Sequence, residues 1–330
     1  MSDAPRVHSD FITLLGGAAA PWSLAASAQE PGRVYRLGSL IPAGRETPAV
    51  VAFFDEMRLL GFIEGRNLDV IPGGFSASRD RIDAMVALII KAAPDAIISG
   101  PDRYTRAFQE ATKTIPLIGM SEDMVADGLV PSLARPGGNT TGISILSPGL
   151  DGKRLELLIE AVPAARRIGA LTDANGPSAE PDHVRTLKAA AEARGRELSV
   201  FEAATHEQIL PAIDSAKAAG VQALIFLSSP LFTVDASTFI EHVAKLRLPA
   251  MHQWPEIAEE GGLMGYGTRF TEAFRQRARL VVKVLRGTKP ADLPVEQPTK
   301  FELVINLKTA RAIGYEIPAG LVLRADKVIE

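Results

Sequence analysis

Asp95-Ala96-Ile97-Ile98-Ser99-Gly100-Pro101 and Gln222-Ala223-Leu224-Ile225-Phe226-Leu227-Ser228-Ser229-Pro230 are one phrase written twice in the same chain. Each is an apolar run that ends in small residues and proline. Each is followed by a helical segment and then by a Pro-led strand. That strand is Ile115-Pro116-Leu117-Ile118-Gly119-Met120 in the first half and Leu248-Pro249-Ala250-Met251-His252-Gln253 in the second. A glycine-marked strand closes each half, at residues 142–145 and 262–267. Apolar runs of strand length that alternate with helices build parallel sheets. The expected fold class is therefore α/β, with two doubly wound lobes, parallel sheets and hinge strands between them. A cleft between two such lobes suits closure on a small ligand.

Working outward, residues 34–41 read as the first strand. Thr47 is placed to cap a helix running to about Leu60, ended by Gly61 and Gly65. A strand at 67–71 and a helix capped by Ser78 complete the approach to the first phrase. The second half repeats the order: strand 167–172, helix 180–194, strand 197–201, a helix capped by Thr205, and a helix opened by Asp235. Helices at 151–161 and 270–285 follow the two glycine-marked strands. The chain should cross between lobes near 143–150, near 267 and near 298–302. Lobe one is expected to comprise 33–145 and 268–298, and lobe two 146–267 and 299–330, with the membership of 299–330 open.

The chain of 330 residues is long enough for two domains. Its hydrophobic content of 46% gives each lobe a core, and a net charge of −3 with no basic stripe argues against nucleic acid as a partner. There is no cysteine, which excludes thiol catalysis, cysteine metal sites and disulfides. Residues 11–20 form an apolar stretch too short to span a bilayer, and Ala26-Ser27-Ala28 has the small-x-small form of a signal peptidase site. Residues 1–28 are thus expected to be a signal peptide and the mature protein to be exported and soluble.

Ligands of open α/β sheets bind outside the carboxyl ends of the strands. Those loops hold Pro42 and Arg45, then Ser99, Gly100 and Asp102, then Ser121, Glu122 and Asp123 in the first half. In the second half they hold Asn175, Ser228, Ser229, Gln253 and Trp254. Several lead straight into helices, whose free N–H groups suit a carboxylate. The serines are placed either as hydroxyl donors to it or as ordinary helix caps. Arg45 can add a charge partner, Trp254 or Phe75 an apolar wall, and Asp102, Glu122 or Asp123 can read an amino group if one of them faces the cleft. A scarcity of aromatic residues, 6% of the chain, argues against a sugar sandwiched by rings. Enzyme signatures are missing. No GxGxxG follows a strand, no GxSxG elbow exists, and the five histidines lack metal spacing. No cofactor and no catalysis are expected.

Longer stretches carry a family resemblance. Val130-Pro131-Ser132-Leu133-Ala134-Arg135-Pro136-Gly137-Gly138-Asn139-Thr140-Thr141-Gly142, Gly152-Lys153-Arg154-Leu155-Glu156-Leu157-Leu158, Gly261-Gly262-Leu263-Met264-Gly265-Tyr266-Gly267 and the run from Lys289 to Ala310 resemble bacterial ABC-transporter substrate-binding proteins of the tryptophan-binding type. The resemblance implies a type I periplasmic binding fold of two lobes and three hinge strands. It also implies a periplasmic location and a membrane permease and its ATPase as partners; a monomer that traps a small carboxylate, an amino acid or an aromatic acid, is expected on the residues of the loops. In place of a Gly-Asp-Pro-Val common in such relatives the chain has Ser121-Glu122-Asp123-Met124, so the ligand does not transfer with the fold. An exported ligand sensor is the alternative reading, and an enzyme using the same cleft a more remote one.

Overall fold

The computed structural model describes residues 32–77, 81–145, 147–233 and 236–330. The expected signal peptide and the capping roles of Ser78 and Asp235 lie outside them. The first sheet consists of β1 (Tyr35–Leu40), β2 (Leu68–Val70), β3 (Ala96–Ser99), β4 (Leu117–Ser121) and β5 (Thr140–Ser144). It is parallel throughout, in the order β2-β1-β3-β4-β5. Between these strands run α1 (Pro48–Leu59), α2 (Ile82–Lys91) and α3 (Asp102–Ala111). Burial follows the pattern expected of a sheet covered on both faces, since every residue of β3, β4 and β5 is buried.

The second half comprises α4 (Asp151–Ala161), β6 (Arg167–Asp173), α5 (Pro181–Glu192), β7 (Glu197–Ala203), α6 (Ile209–Ala218), β8 (Ala223–Phe226) and α7 (Ala236–Lys245). It continues with β9 (Ala250–His252), the short α8 (Pro255–Glu259) and β10 (Met264–Gly267). Its strands lie in the order β7-β6-β8-β9-β10, which reproduces the order of the first sheet strand for strand. The duplicated phrase is thus a duplicated topology of β3 and β8. The chain then returns through α9 (Phe270–Leu285) and comes back to the second sheet as β11 (Glu302–Asn306). There β11 pairs antiparallel with β10, and β12 (Lys327–Ile329) adds to it in parallel after α10 (Leu307–Ile313) and α11 (Ala319–Val322).

Two glycines explain the glycine-marked strands. A Cβ on Gly142 would lie 2.1 Å from the carbonyl oxygen of Gly119, and one on Gly267 would lie 2.2 Å from that of Gln253. Each lets the last strand of its half press against its predecessor where the chain is about to leave the lobe.

Three passages join the sheets: one between β5 and α4, one at 268–269 between β10 and α9, and one at 297–301 ahead of β11. The helix α9 starts at the end of a lobe-two strand but packs on α1 and on β3, β4 and β5 of lobe one. After it, residues 293–296 run beside β5. Thr141 Oγ1 donates to the Leu293 carbonyl at 2.8 Å, and Ser144 and Glu296 are bonded through backbone groups at 2.9 Å. Arg269, in the second passage, pairs with Glu259 at 2.9 Å and with Glu302 at 2.6 Å, tying that passage to the start of β11.

Thr47 and Thr205 stand at helix starts as expected, but neither side chain accepts a capping bond; Thr47 instead donates to the Gly44 carbonyl at 2.8 Å. Behind Thr205 a single turn, His206–Gln208, precedes α6. Among the described residues no helix is long and apolar enough to cross a membrane.

Candidate ligand-binding site

A cavity of about 430 Å³ lies between the lobes, at the carboxyl ends of both sheets. Lobe one lines it with the β1–α1 loop, including Pro42 and Glu46, with Gly100 and Pro101 before α3, and with Met120, Ser121 and Glu122 at the end of β4. Lobe two contributes Pro230, Thr233, Trp254 and the exposed side of α8, with Glu256 and Glu260. The helix α9 supplies Phe270, Thr271, Phe274 and Arg277. The position follows from the strand order, because in each sheet the order reverses beside the first strand and the loops on either side part there.

One wall is aromatic. The Trp254 ring lies 4.7 Å from Phe270, and Phe270 lies 5.0 Å from Phe274, so three rings run in series from the end of β9 onto α9. Phe270 and Phe274 are four residues apart on one helix face. Trp254 is 4% exposed, and its Nε1 has no hydrogen-bond partner.

The rest of the lining is charged. Glu122 is buried. One carboxylate oxygen of Glu256 accepts from the Thr271 amide and hydroxyl, both at 3.3 Å, while the other, Oε2, has no partner. Burial pushes the Glu256 carboxyl above the usual carboxylate range, against the opposing pull of the Thr271 amide and the Arg269 charge. Glu260 is raised as well, first by burial and then by its acidic neighbours Glu256 and Glu259.

Arg277 is the cation among them. Its side chain is fully buried, donating from Nε to the Ile118 carbonyl at 3.3 Å and from Nη2 to the carbonyls of Ile118, at 3.1 Å, and Ser99. Nη1 has no partner, and no carboxylate among the described residues forms an ion pair with the guanidinium. Burial lowers it to about 9, so it stays cationic at neutral pH. Arg277 was not among the residues expected from the loops. A signal for it does exist in the sequence: Arg275 and Arg279 fall on the solvent side of α9, whereas Arg277 stands four residues from Ala273 and from Val281, inside the apolar stripe.

Of the residues expected at the site, Pro42, Gly100, Ser121, Glu122 and Trp254 line the cavity. The others lie off its wall, for identifiable reasons. Arg45 turns to the flank of lobe one, where it pairs with Glu64 and lies 4.3 Å over Phe54 and 5.2 Å over Phe75, which takes Phe75 with it. The Ser99 hydroxyl is shared with Thr105 at 2.7 Å. Asp102 sits half-buried in the first turn of α3. Asp123 caps its own turn, accepting from the amides of Val125 and Ala126. Asn175 is exposed in the turn after β6.

Ser228, Ser229 and Gln253 belong to a buried polar network inside lobe two. Arg154 and Asp151, both fully buried, are 2.8 Å apart. Arg154 also donates to the Ser228 hydroxyl at 2.6 Å and to the carbonyls of Tyr266 and Gln253. Asp151 accepts from the Ser178 hydroxyl and lies 3.1 Å from His183 Nε2. The Ser229 hydroxyl donates to Asp173 at 2.7 Å and accepts from the Leu231 amide, and its own amide donates to Gln253. The carboxyl ends of β6, β8, β9 and β10 are thus filled by the lobe's own side chains. Among the described residues no group of three or more His, Cys, Asp or Glu is arranged to hold a metal ion.

Comparison with known proteins bears on the family and the fold. The family model described as ABC transporter substrate binding protein matches residues 57–329. A tyrosine-binding protein of Clostridioides difficile (strain R20291) is 25% identical over 259 residues, covering 78% of this chain and 73% of that one. A crystal structure of an ABC domain from Streptococcus pneumonia in complex with L-Trp superposes with a TM-score of 0.76 at 23% identity, over 89% of this chain and 99% of that one. The ligand-free, open structure of a substrate-binding protein with adhesive properties from Clostridium difficile gives 0.62 at 23% identity, over 90% and 99%.

Proposed function

This chain belongs to the ABC transporter substrate-binding protein family, and from that premise we propose that it is the extracytoplasmic solute-binding component of an importer, trapping a small amino acid with an apolar or aromatic body between its lobes. The observation that carries the reading is the inter-lobe cavity itself, with an aromatic wall from Trp254 to Phe274 beside both acidic and basic side chains. Its volume of about 430 Å³ falls in the range of roughly 300–1,000 Å³ usual for small-molecule sites. A ring stacked on that wall would leave a carboxylate and an ammonium to be matched by opposite charges. Glu122 and Glu256 supply the acidic side, which favours an α-amino acid over a simple aromatic acid.

Loading would draw 33–145 with 268–298 toward 146–267 with 299–330 by bending at the three passages. The closed form would then present one surface to a membrane permease coupled to its ATPase. Processing after Ala28 and work as a monomer in the periplasm complete the proposal. No enzymatic step and no cofactor enter it.

Calorimetry of the protein against aromatic amino acids, branched amino acids and aromatic acids tests the ligand class. Binding of an aromatic or branched amino acid supports it. Tight binding of a neutral sugar with none of these acids overturns it.

A further inference from the structure

We propose that Arg277 is the specificity-determining anchor of this site, taking the carboxylate of the ligand through its Nη1 edge on the lobe-one side of the cavity. The inference rests on the amino-acid reading above and assigns one end of that ligand to one residue.

Three observations support it. First, the guanidinium is fully buried yet has no acidic partner among the described residues, and a buried cation without a counter-charge is costly to keep. Second, its bonds are unevenly spent. Nε and Nη2 are used on the carbonyls of Ser99 and Ile118, which fixes the plane of the group, and Nη1, with two N–H donors, is buried without a partner on a side chain that lines the cavity. Third, the carbonyl of Ser99 places it where α3 begins. Gly100 and Pro101 line the same cavity, and the amides of Asp102 and Arg103 come ahead of the first bond of this ten-residue helix, which runs from Tyr104 to the Pro101 carbonyl. A carboxylate there would accept from the guanidinium and complement the helix end at once.

The arrangement also fixes the direction of the ligand. Arg277 is held on lobe one by the carbonyls of Ser99, at the end of β3, and of Ile118, within β4, whereas Glu256 is carried by α8 of lobe two. A zwitterion whose amine meets Glu256 would have its acid read by one lobe and its amine by the other, while Glu122 offers that amine a second carboxylate on lobe one.

The test compares the full chain with its Arg277→Met and Arg277→Lys variants by calorimetry against L-tyrosine, L-tryptophan, L-phenylalanine and L-leucine and their carboxamides. The unmodified protein should bind the acids at least tenfold more tightly than the amides. Arg277→Met should lose about thirtyfold or more for the acids and threefold or less for the amides, and Arg277→Lys should fall between. The melting temperature of ligand-free Arg277→Met should stay within a few degrees of the parent, whereas a framework role for the residue would lower it steeply and leave the acid-to-amide ratio unchanged. If Arg277→Met keeps the full preference for acids, the assignment is overturned and the amino-acid reading stands. If the unmodified protein binds none of the acids, that reading fails and takes this one with it. Should neither variant fold, a crystal structure of the unmodified protein with its bound acid decides: a carboxylate oxygen within about 3.2 Å of Nη1 supports the assignment, and a carboxylate elsewhere overturns it.

Discussion

Arg154 and Asp151 meet at 2.8 Å with neither side chain exposed by more than 1%, one turn apart on the helix that opens lobe two. The pair fastens the start of α4 to the ends of β8, β9 and β10. Removing one partner leaves the other charge buried without compensation, which costs about 3–5 kcal/mol. Asp151→Asn and Arg154→Met should each lower unfolding stability by that order in urea melts. The double change should cost clearly less than the sum.

At Gly267 a methyl group meets the Gln253 carbonyl at 2.2 Å and Arg154 Nη2 at 3.1 Å, with backbone on one side and a fixed guanidinium on the other. Gly267→Ala should cost about 1–3 kcal/mol by overpacking, measured by thermal melting. Gly149→Ala, where nothing lies within 4 Å of the added carbon, is the control and should be close to neutral.

His252 should make the fold sensitive to acid. It is buried against Phe226, with ring centroids 4.6 Å apart, and burial lowers it from 6.5 to about 3. The unfolded chain therefore binds a proton that the folded chain refuses between pH 6.5 and 3, so stability is full above 6.5 and is lost as the pH falls through that window. Each unit of separation is worth about 1.4 kcal/mol. Replacing His252 by Phe should move the acid unfolding midpoint to lower pH; an unmoved midpoint would assign acid lability to other groups.

For Glu256 the expected effect is on binding. Its raised carboxyl protonates above the ordinary value of 4.5, and protonation removes the charge that would attract an ammonium. Affinity for an amino acid should weaken as the pH drops toward the acid side, starting above pH 4.5. Glu256→Gln should weaken the amino acid about tenfold at neutral pH and flatten the pH dependence, both read by calorimetry.

The fold was legible because its determinants are local. Strand-length apolar runs, proline stops and glycine marks recur at matching places in both halves, and β5, α4 and α9 fall where the pattern put them. The short α8 escaped, because five residues carry too little periodicity to register. At the site, the loops were legible and the side-chain commitments were not. Ser228 is claimed by Arg154 from 74 residues away, and Arg277 reaches the Ser99 carbonyl across 178. Arg45 is diverted by Glu64 and two phenylalanines. Loop position alone cannot separate a side chain that faces a cavity from one that a distant residue has already engaged.

The path of α9 sets an order of assembly. Lobe one cannot cover α1 or the exposed side of β3, β4 and β5 until residues 270–285 have been made, and its edge is not lined until 293–296 follow. Domains usually fold from the N-terminus as they emerge from the ribosome. Here the first half of the polypeptide must wait for nearly the whole chain before its core can close. A nascent chain that stays open this long is one that can still be threaded, extended, through a narrow channel.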